Sequence, residues 1–419
     1  PPDGNHLEES GGDGGMIKRT LQELCLNITD GKHGDCENEE NSGYYFISCK
    51  DIFDGQINYK NARQITKADF EETHKRTMLE VDDILLTNSG TIGRMAFVTD
   101  REATTKTTFQ KSVAIIKPDK QKVLPRYLYY QLQNCVPQFI NSSNGSAQKN
   151  LLLSTMRTFQ IEIEENREKQ EKIANTLSAY DDLIENNQKQ IKLLEEAAQR
   201  LYKEWFVDLR FPGHENTKIV DGVPEGWKKN CAEKFFEITI GKTPPRTEKR
   251  CFTTGKNGIP WVSIADMGNS GMFVLNTAEN LTDDAIKQYN VKVIPKNAVL
   301  LSFKLTVGRV AIAPNDICTN EAIAHFKGRR ECEREYTYFY LKNFHYDELG
   351  STSSISKAVN SKIIKAMPFI MPSEKLLKEY SSKTKDIFDL IICKQKMDNN
   401  LKIARDRILH KLMSGEVEV

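Results

Sequence analysis

The chain has 419 residues, enough at roughly 100–200 residues per domain for two to three domains that each bury a core. Its 59 lysines and arginines against 58 aspartates and glutamates leave a net charge of +1, which excludes a generally basic nucleic-acid coat but not local basic faces. No apolar run approaches the ~18 residues of a membrane span, and nothing reads as a signal peptide.

In chain order, Pro1–Gly15 is rich in Gly, Asp and Glu and shows no core pattern, so a disordered or appended lead over residues 1–15 is expected. Residues 16–164 read as a mixed α/β globule. Its β-like runs are Tyr44–Ser48, Ile84–Thr87, Met95–Val98 and Val113–Lys117, with turn signals at Asn88-Ser89-Gly90 and Asn144-Gly145. A short helix is predicted over Pro125–Asn134. Residues 165–211 then read as one long helix. Ile173, Leu177, Tyr180, Ile184, Asn187, Ile191, Leu194, Ala198, Leu201 and Trp205 keep an unbroken 4-3 spacing, a heptad seam with one polar member. Pro and Gly are absent from Asn166 to Arg210, and Phe211-Pro212-Gly213 stops the run. About 40 residues at ~1.5 Å each make a rod of ~60 Å.

Residues 212–372 repeat the globular pattern, with β-like runs at Trp261–Ile264, Val299–Phe303, Val310–Ala313 and Ala322–Phe326 and a helix over Arg334–Asn343. Residues 373–419 read as a second long helix, its apolar stripe being Leu390, Cys393, Met397, Leu401, Ala404, Ile408 and Leu412. Two seams in one chain most simply pack on each other. A globular half lies between the end of one rod and the start of the next, which makes an antiparallel pair the short connection.

The likeness of the halves is a duplication. Phe46-Ile47-Ser48, Asp51, Leu85-Leu86-Thr87 and Thr91-Ile92-Gly93-Arg94 align with Trp261-Val262-Ser263, Asp266, Leu300-Leu301-Ser302 and Thr306-Val307-Gly308-Arg309 at a constant offset of 215. Gly31-Lys32 aligns with Gly241-Lys242 at 210, and Gln148-Lys149 with Ser356-Lys357 at 208.

Catalytic machinery is missing. There is no G-x-x-x-x-G-K-[ST] loop, no G-x-S-x-G elbow, no H-E-x-x-H helix, and no Asn-Pro-Pro-aromatic or Asp-Pro-Pro-aromatic tetrapeptide for a flipped base. The nine cysteines form no C-x2-C pair, so neither a zinc site nor a disulfide framework is expected and a reducing cytoplasm fits best. The seven histidines are scattered without ligand spacing, and Asp82-Asp83 reads as a turn.

What remains suits DNA contact. A glycine turn after a strand would present Arg94 and Thr91, and again Arg309 and Thr306, and the planar arginine fork donates bidentately to phosphate or guanine. A structural turn with a surface arginine is the bland alternative; recurrence in both halves counts against it. Aromatic and polar residues gather near basic ones. The candidate DNA contacts are Lys32, His33, Tyr44, Tyr45, Ser48, Lys50, Asn88, Thr91, Gly93, Arg94, Gln148 and Lys149 in the first half. In the second they are Lys242, Arg246, Lys249, Arg250, Trp261, Ser263, Lys304, Thr306, Gly308, Arg309 and Lys357.

Several segments resemble the specificity (S) subunits of type I restriction–modification systems. They are Ile28-Thr29-Asp30-Gly31-Lys32-His33-Gly34, the two Thr-x-Gly-Arg turns, the rod from Arg167-Glu168-Lys169-Gln170 to Trp205-Phe206-Val207-Asp208, Val223-Pro224-Glu225-Gly226-Trp227, and Leu412-Met413-Ser414-Gly415-Glu416-Val417. The likeness covers Ile17–Val419. One departure is that the first half lacks its own Val-Pro-x-Gly-Trp opener, which puts its first strand in doubt. The resemblance implies an α+β fold: two pseudo-repeated mixed α/β target recognition domains joined by two long antiparallel coiled-coil helices. It further implies a non-catalytic subunit that reads a bipartite, asymmetric site in double-stranded DNA. The helices would set the spacer and dock two modification (methyltransferase) subunits, which restriction (motor and nuclease) subunits would join. Adenosylmethionine, ATP and Mg would belong to those partners, with no cofactor in this chain. A duplicated coiled-coil adaptor that binds only proteins, and an enzyme with unrecognised residues, are the competing readings.

Overall fold

The computed structural model describes residues 15–143, 149–255, 257–349 and 360–418; the expected lead, apart from Gly15, and the candidates Gln148 and Lys357 lie outside the described residues. The chain divides into two compact units, Pro1–Asp182 with Lys402–Val419, and Leu183–Leu401.

In the first unit, four antiparallel strands lie in the order Cys25–Asp30, Val113–Pro118, Ile84–Thr87, Met95–Phe97, with Ile115 opposite both Thr29 and Leu85. Alternate residues point to opposite faces of a strand. Ile84, Leu86, Ala114 and Ile116 enter one apolar cluster with Tyr127, Leu128 and Phe139, while Leu85, Val113 and Ile115 enter another with Ile47 and Phe109. Because both faces are covered, the two central strands, Ile84–Thr87 and Val113–Pro118, read as continuous aliphatic runs rather than alternating ones.

The second unit repeats this with Glu237–Ile240, Ile323–Lys327, Val299–Ser302 and Val310–Ile312. Val299 and Leu301 join a cluster with Phe326 and Phe339, while Leu300 and Ile323 join one with Val262 and Ile317. Each unit also pairs a short strand in parallel with a later one: Tyr45–Ile47 with Thr107–Phe109, and Ile259–Val262 with Cys318–Thr319. The run expected over Trp261–Ile264 stops at Val262, because Ser263 caps a helix over Ile264–Asn269. The first strand left in doubt by the missing opener is present: Met16–Thr20 pairs antiparallel with Gln160–Glu164, as Lys228–Cys231 does with Pro368–Met371.

The long helices run over Arg167–Tyr202, continued by a π-turn to Val207, and over Glu374–Met413. In the first unit, Ile173, Ala174 and Leu177 share a cluster with Leu409, Leu412 and Met413, and Asp181 pairs with Arg405 at 2.7 Å. In the second, Asn187 accepts from Lys394 Nζ at 3.3 Å, and the Trp205 ring meets Tyr380 at 5.8 Å. Within each unit, then, the later residues of one segment meet the earlier residues of the other, an antiparallel pairing.

On the central helix, Ile173, Leu177, Ile184, Asn187 and Trp205 are buried, and Tyr180, Ile191, Leu194 and Leu201 half-buried. The C-terminal helix corrects the expected seam. Leu390 and Met397 are 43% and 47% exposed, Leu401 and Ile408 half-buried, and Leu412 buried. The buried row is Thr384, Phe388, Ile391, Asp398, Leu409 and Leu412; Ile391, Asp398 and Leu409 lie one residue beyond Leu390, Met397 and Ile408, and the two rows meet at Leu412. Its polar members, with half-buried Arg405 among them, hid this row from a reading based on apolar spacing, and the adjacent apolar stripe took its place.

Candidate nucleic-acid interface

The repeated motifs assemble into one clamp, built twice. In the first half, the Ser48 hydroxyl donates to Asp51 Oδ2 at 2.6 Å, and the same oxygen accepts the Ser48 amide at 2.9 Å. In the second half, Ser263 and Asp266 do the same at 2.7 and 2.8 Å. These are capping boxes at helix starts. Ser48 and Ser263 therefore serve the scaffold, a correction to their place among the DNA contacts.

The Thr-x-Gly-Arg turn closes over this cap. The Arg94 amide donates to Thr87 Oγ1 at 2.9 Å and the Gly93 amide to the Thr87 carbonyl at 3.0 Å; Arg309 and Gly308 repeat both bonds on Ser302, each at 3.0 Å. Gly93 and Gly308 have φ of +93° and +91°, where a side chain would be strained, and a Cβ on Gly93 would lie 2.5 Å from Val136 Cγ1. The guanidinium then turns inward. Arg94 Nη1 donates to the Cys49 carbonyl at 3.4 Å, and Arg309 Nη1 to the Ile264 carbonyl at 2.7 Å. Cys49 and Ile264 are themselves 215 apart, so recurrence of the arginine is accounted for by a tether inside each half. Arg94 keeps an exposed edge, Arg309 is half-buried, and Thr91 and Thr306 are exposed.

The Gly-Lys pair is likewise a point of close backbone approach. A Cβ on Gly31 would lie 1.9 Å from the Phe109 carbonyl oxygen, and one on Gly241 2.1 Å from that of Asn320. Lys32 then pairs with Asp69 at 3.0 Å and Glu72 at 3.2 Å, while Lys242 donates to the Tyr289 carbonyl at 2.6 Å. Asp69, which accepts from the Glu37 amide and from Lys32, is held below the usual carboxylate range.

The aromatic candidates are less available than their spacing suggested. Trp261 is 3% exposed, with its indole N–H on the Lys242 carbonyl, so it offers no face to a base. Instead Trp261 and Phe252 carry the Arg246 guanidinium, 4.6 and 4.2 Å from their ring centres, and Arg246 pairs with Glu279 at 2.6 Å. Tyr44 lies against Phe70 and Tyr45 against Tyr59, each at 4.8 Å and half-buried. Arg250 pairs with Glu248, and Lys304 lies over the Phe303 ring. Lys50, Lys149 and Lys249 are exposed.

In the first unit the fold brings together residues that spacing could not have grouped. A concavity of about 680 Å³ opens between Asp30, His33, Arg76, Asn88, Lys111 and Ser154. Of these, only His33 and Asn88 were among the sequence candidates. Asp30 is 6% exposed and is bonded by His33 Nε2 at 2.9 Å and Arg76 Nη2 at 2.6 Å. Asn88 is buried, correcting its place as a surface contact, and its side-chain oxygen has no partner among the described residues. Arg76 comes from a helix over Lys67–Thr77 and Lys111 from the turn before Val113. No sequence motif marks either. Among the described residues no group of His, Cys, Asp or Glu could hold a metal ion, and no helix is long and apolar enough to cross a membrane.

Comparison with known proteins gives the same duplication. The profile of the type I restriction modification DNA specificity domain matches twice, over residues 17–196 and 224–401. The type I restriction enzyme MjaIX specificity subunit of Methanocaldococcus jannaschii is 28% identical over 392 residues, covering 89% of this chain and 87% of its own. The type I restriction enzyme HindI specificity subunit of Haemophilus influenzae is 24% identical, covering 72% and 80%. The fold is that of a crystal structure of a type I restriction–modification S subunit from M. genitalium, with a TM-score of 0.56 at 15% identity over 96% of this chain and 97% of that one. Two copies of the domain on a duplicated α and β scaffold place the chain in the family of specificity subunits of type I restriction–modification systems.

Proposed function

We propose that the chain is the non-catalytic DNA-reading member of its complex, each globular half reading one part of a bipartite, asymmetric duplex sequence. The observation that supports this best is one clamp built twice with unlike neighbours. His33, Asn88 and Lys111 stand in the first half where Thr243, Phe303 and Glu321 stand in the second. A shared scaffold with different faces is what two different half-sites require, since phosphate contacts set register while base-edge contacts specify sequence. Thr91, Arg94, Lys50 and Lys149 in one half, and Thr306, Lys249 and Arg250 in the other, are the proposed contacts still open to solvent.

The two long helices would form an antiparallel coiled-coil spacer that sets the distance between half-sites and docks two methyltransferase subunits, with restriction subunits joining them. Adenosylmethionine, ATP and Mg would be held by those partners in the cytoplasm. The experiment is to assemble the chain with its methyltransferase subunits and map methylated sites before and after exchange of residues 18–164 for another such domain. Only one half of the target should change; changes in both halves would defeat independent reading. The assembled complex should also prefer its split target over scrambled DNA, and its binding should weaken steeply with salt through counterion release. The inward-turned arginines and the net charge of +1 favour a second reading, an adaptor binding only proteins, which equal affinity for every DNA would support.

A further inference from the structure

We propose that the concavity of the first unit is a phosphate seat with no counterpart in the second, so that the two halves grip DNA unequally. This rests on the DNA-reading assignment above and names the ligand chemistry of one part of that surface: a phosphate of the duplex backbone.

Three basic side chains, His33, Arg76 and Lys111, line the space against one carboxylate. That carboxylate, Asp30, is nearly enclosed and is bonded by His33 and Arg76, so it orients these two side chains rather than opposing an incoming anion. Lys111 is exposed. At the inner wall, Asn88 is 4% exposed and its side-chain oxygen is enclosed without a partner among the described residues. Leaving such a group unpaired costs about 1–3 kcal/mol, so native structures seldom do it without a reason. The Asn88 side chain lines the space, and a side-chain amide carries N–H donors as well as its oxygen. An anionic oxygen needs that kind of donor.

The duplicated half shows that the scaffold does not demand this arrangement. Gly31 and Gly241 donate to the Val113 and Ile323 carbonyls in turn, which fixes the equivalence of the two loops. By that equivalence Asp30 becomes Ile240, His33 becomes Thr243 and Lys111 becomes Glu321, and by the clamp Asn88 becomes Phe303, which is fully buried. Thr243 and Glu321 hydrogen-bond one another. In the other half the His33 and Lys111 positions are taken by Thr243 and an acid, Glu321, which faces Lys304 and Arg246, beside an apolar wall at Phe303.

The test uses the assembled complex of this chain with its methyltransferase subunits, titrated with duplex target across a range of salt. Lys111→Ala should lower the slope of log affinity against log salt by about 0.9, the loss of one phosphate contact, which is about eightfold weaker binding at 0.1 M salt. Target and scrambled DNA should weaken alike, and Lys111→Arg should restore the slope. Neutral methylphosphonates placed singly along the target should weaken the wild-type complex at one position in the half-site read by residues 18–164, and leave Lys111→Ala unaffected there. An unchanged slope, or a Lys111-dependent phosphate that falls in the other half-site, overturns the proposal. So does thermal stabilisation of the wild type by inorganic phosphate, lost in Lys111→Ala, without any difference in DNA binding; the seat would then serve a free anion. Failure of the wild-type complex to bind any DNA would instead sink the DNA-reading assignment itself.

Discussion

His325 gives the second unit a built-in pH dependence that can be worked out from its surroundings. It lies on the strand Ile323–Lys327, 1% exposed, with Nε2 2.6 Å from Thr319 Oγ1 and Nδ1 2.9 Å from Thr239 Oγ1. Burial pushes its pKa down from 6.5 to about 3. The folded state therefore holds a neutral imidazole, while the unfolded chain takes up a proton below about pH 6.5. Between those values the unfolded state binds more protons, so the stability contribution is fully present above pH 6.5 and is lost as pH falls toward 3. At 1.36 kcal/mol per unit, moving from pH 7 to pH 5 costs about 2 kcal/mol. The equivalent residue of the first half is Ile115, also fully buried, so His325→Ile puts the duplicate's own residue in place. All three tryptophans, Trp205, Trp227 and Trp261, belong to the second unit, so their fluorescence reports its unfolding in urea. His325→Ile should be less stable at pH 7, because two threonine hydroxyls lose a partner at about 1–3 kcal/mol each. Its deficit relative to wild type should then shrink by about 2 kcal/mol at pH 5. Other titrating groups act on both proteins and cancel. A deficit that stays constant or grows would refute burial of a neutral histidine.

Two further predictions concern the scaffold. The phase of the C-terminal helix is tested by Ile391→Ala, which should cost about 2–4 kcal/mol in the same unfolding assay because Ile391 is fully enclosed, whereas Leu390→Ala should cost less than about 1 kcal/mol. The reverse ranking would restore the stripe read from apolar spacing. Gly31→Ala and Gly241→Ala each force a methyl group onto a carbonyl about 2 Å away, and each should destabilise its own half by about 1–3 kcal/mol or more, measured by thermal unfolding. An unchanged midpoint would mean that these backbones separate easily.

Much was legible in the residue order alone. A repeat at a fixed offset appears wherever two copies of a fold must meet the same local demands, so the Ser-Asp caps, the strand-turn-Gly-Arg units and the two uninterrupted helical runs could be located without coordinates. Strand and helix limits shift by one or two residues, as with Val262, where a capping serine decided the boundary. Length, duplication and helix periodicity are properties of neighbours along the chain, and these the amino-acid order specifies.

Which way a side chain points depends on what the fold brings opposite it. Arg94 and Arg309 looked like outward readers until Cys49 and Ile264 placed carbonyls within reach, and Trp261 looked like a stacking face until Phe252 and Arg246 covered it. The packed row of the C-terminal helix was hidden for the same reason: Asp398 and Arg405 are tolerated inside because tertiary neighbours surround them, and Arg405 meets Asp181, 224 positions away. Arg76 and Lys111 join Asp30 in the seat with no motif to mark them, since the three come from a strand, a helix and a turn. Residue order determined that this protein is one scaffold used twice on two long helices. Only three-dimensional packing decided which polar groups stay free to meet a ligand, because a hydrogen bond is satisfied by proximity in space and not in sequence.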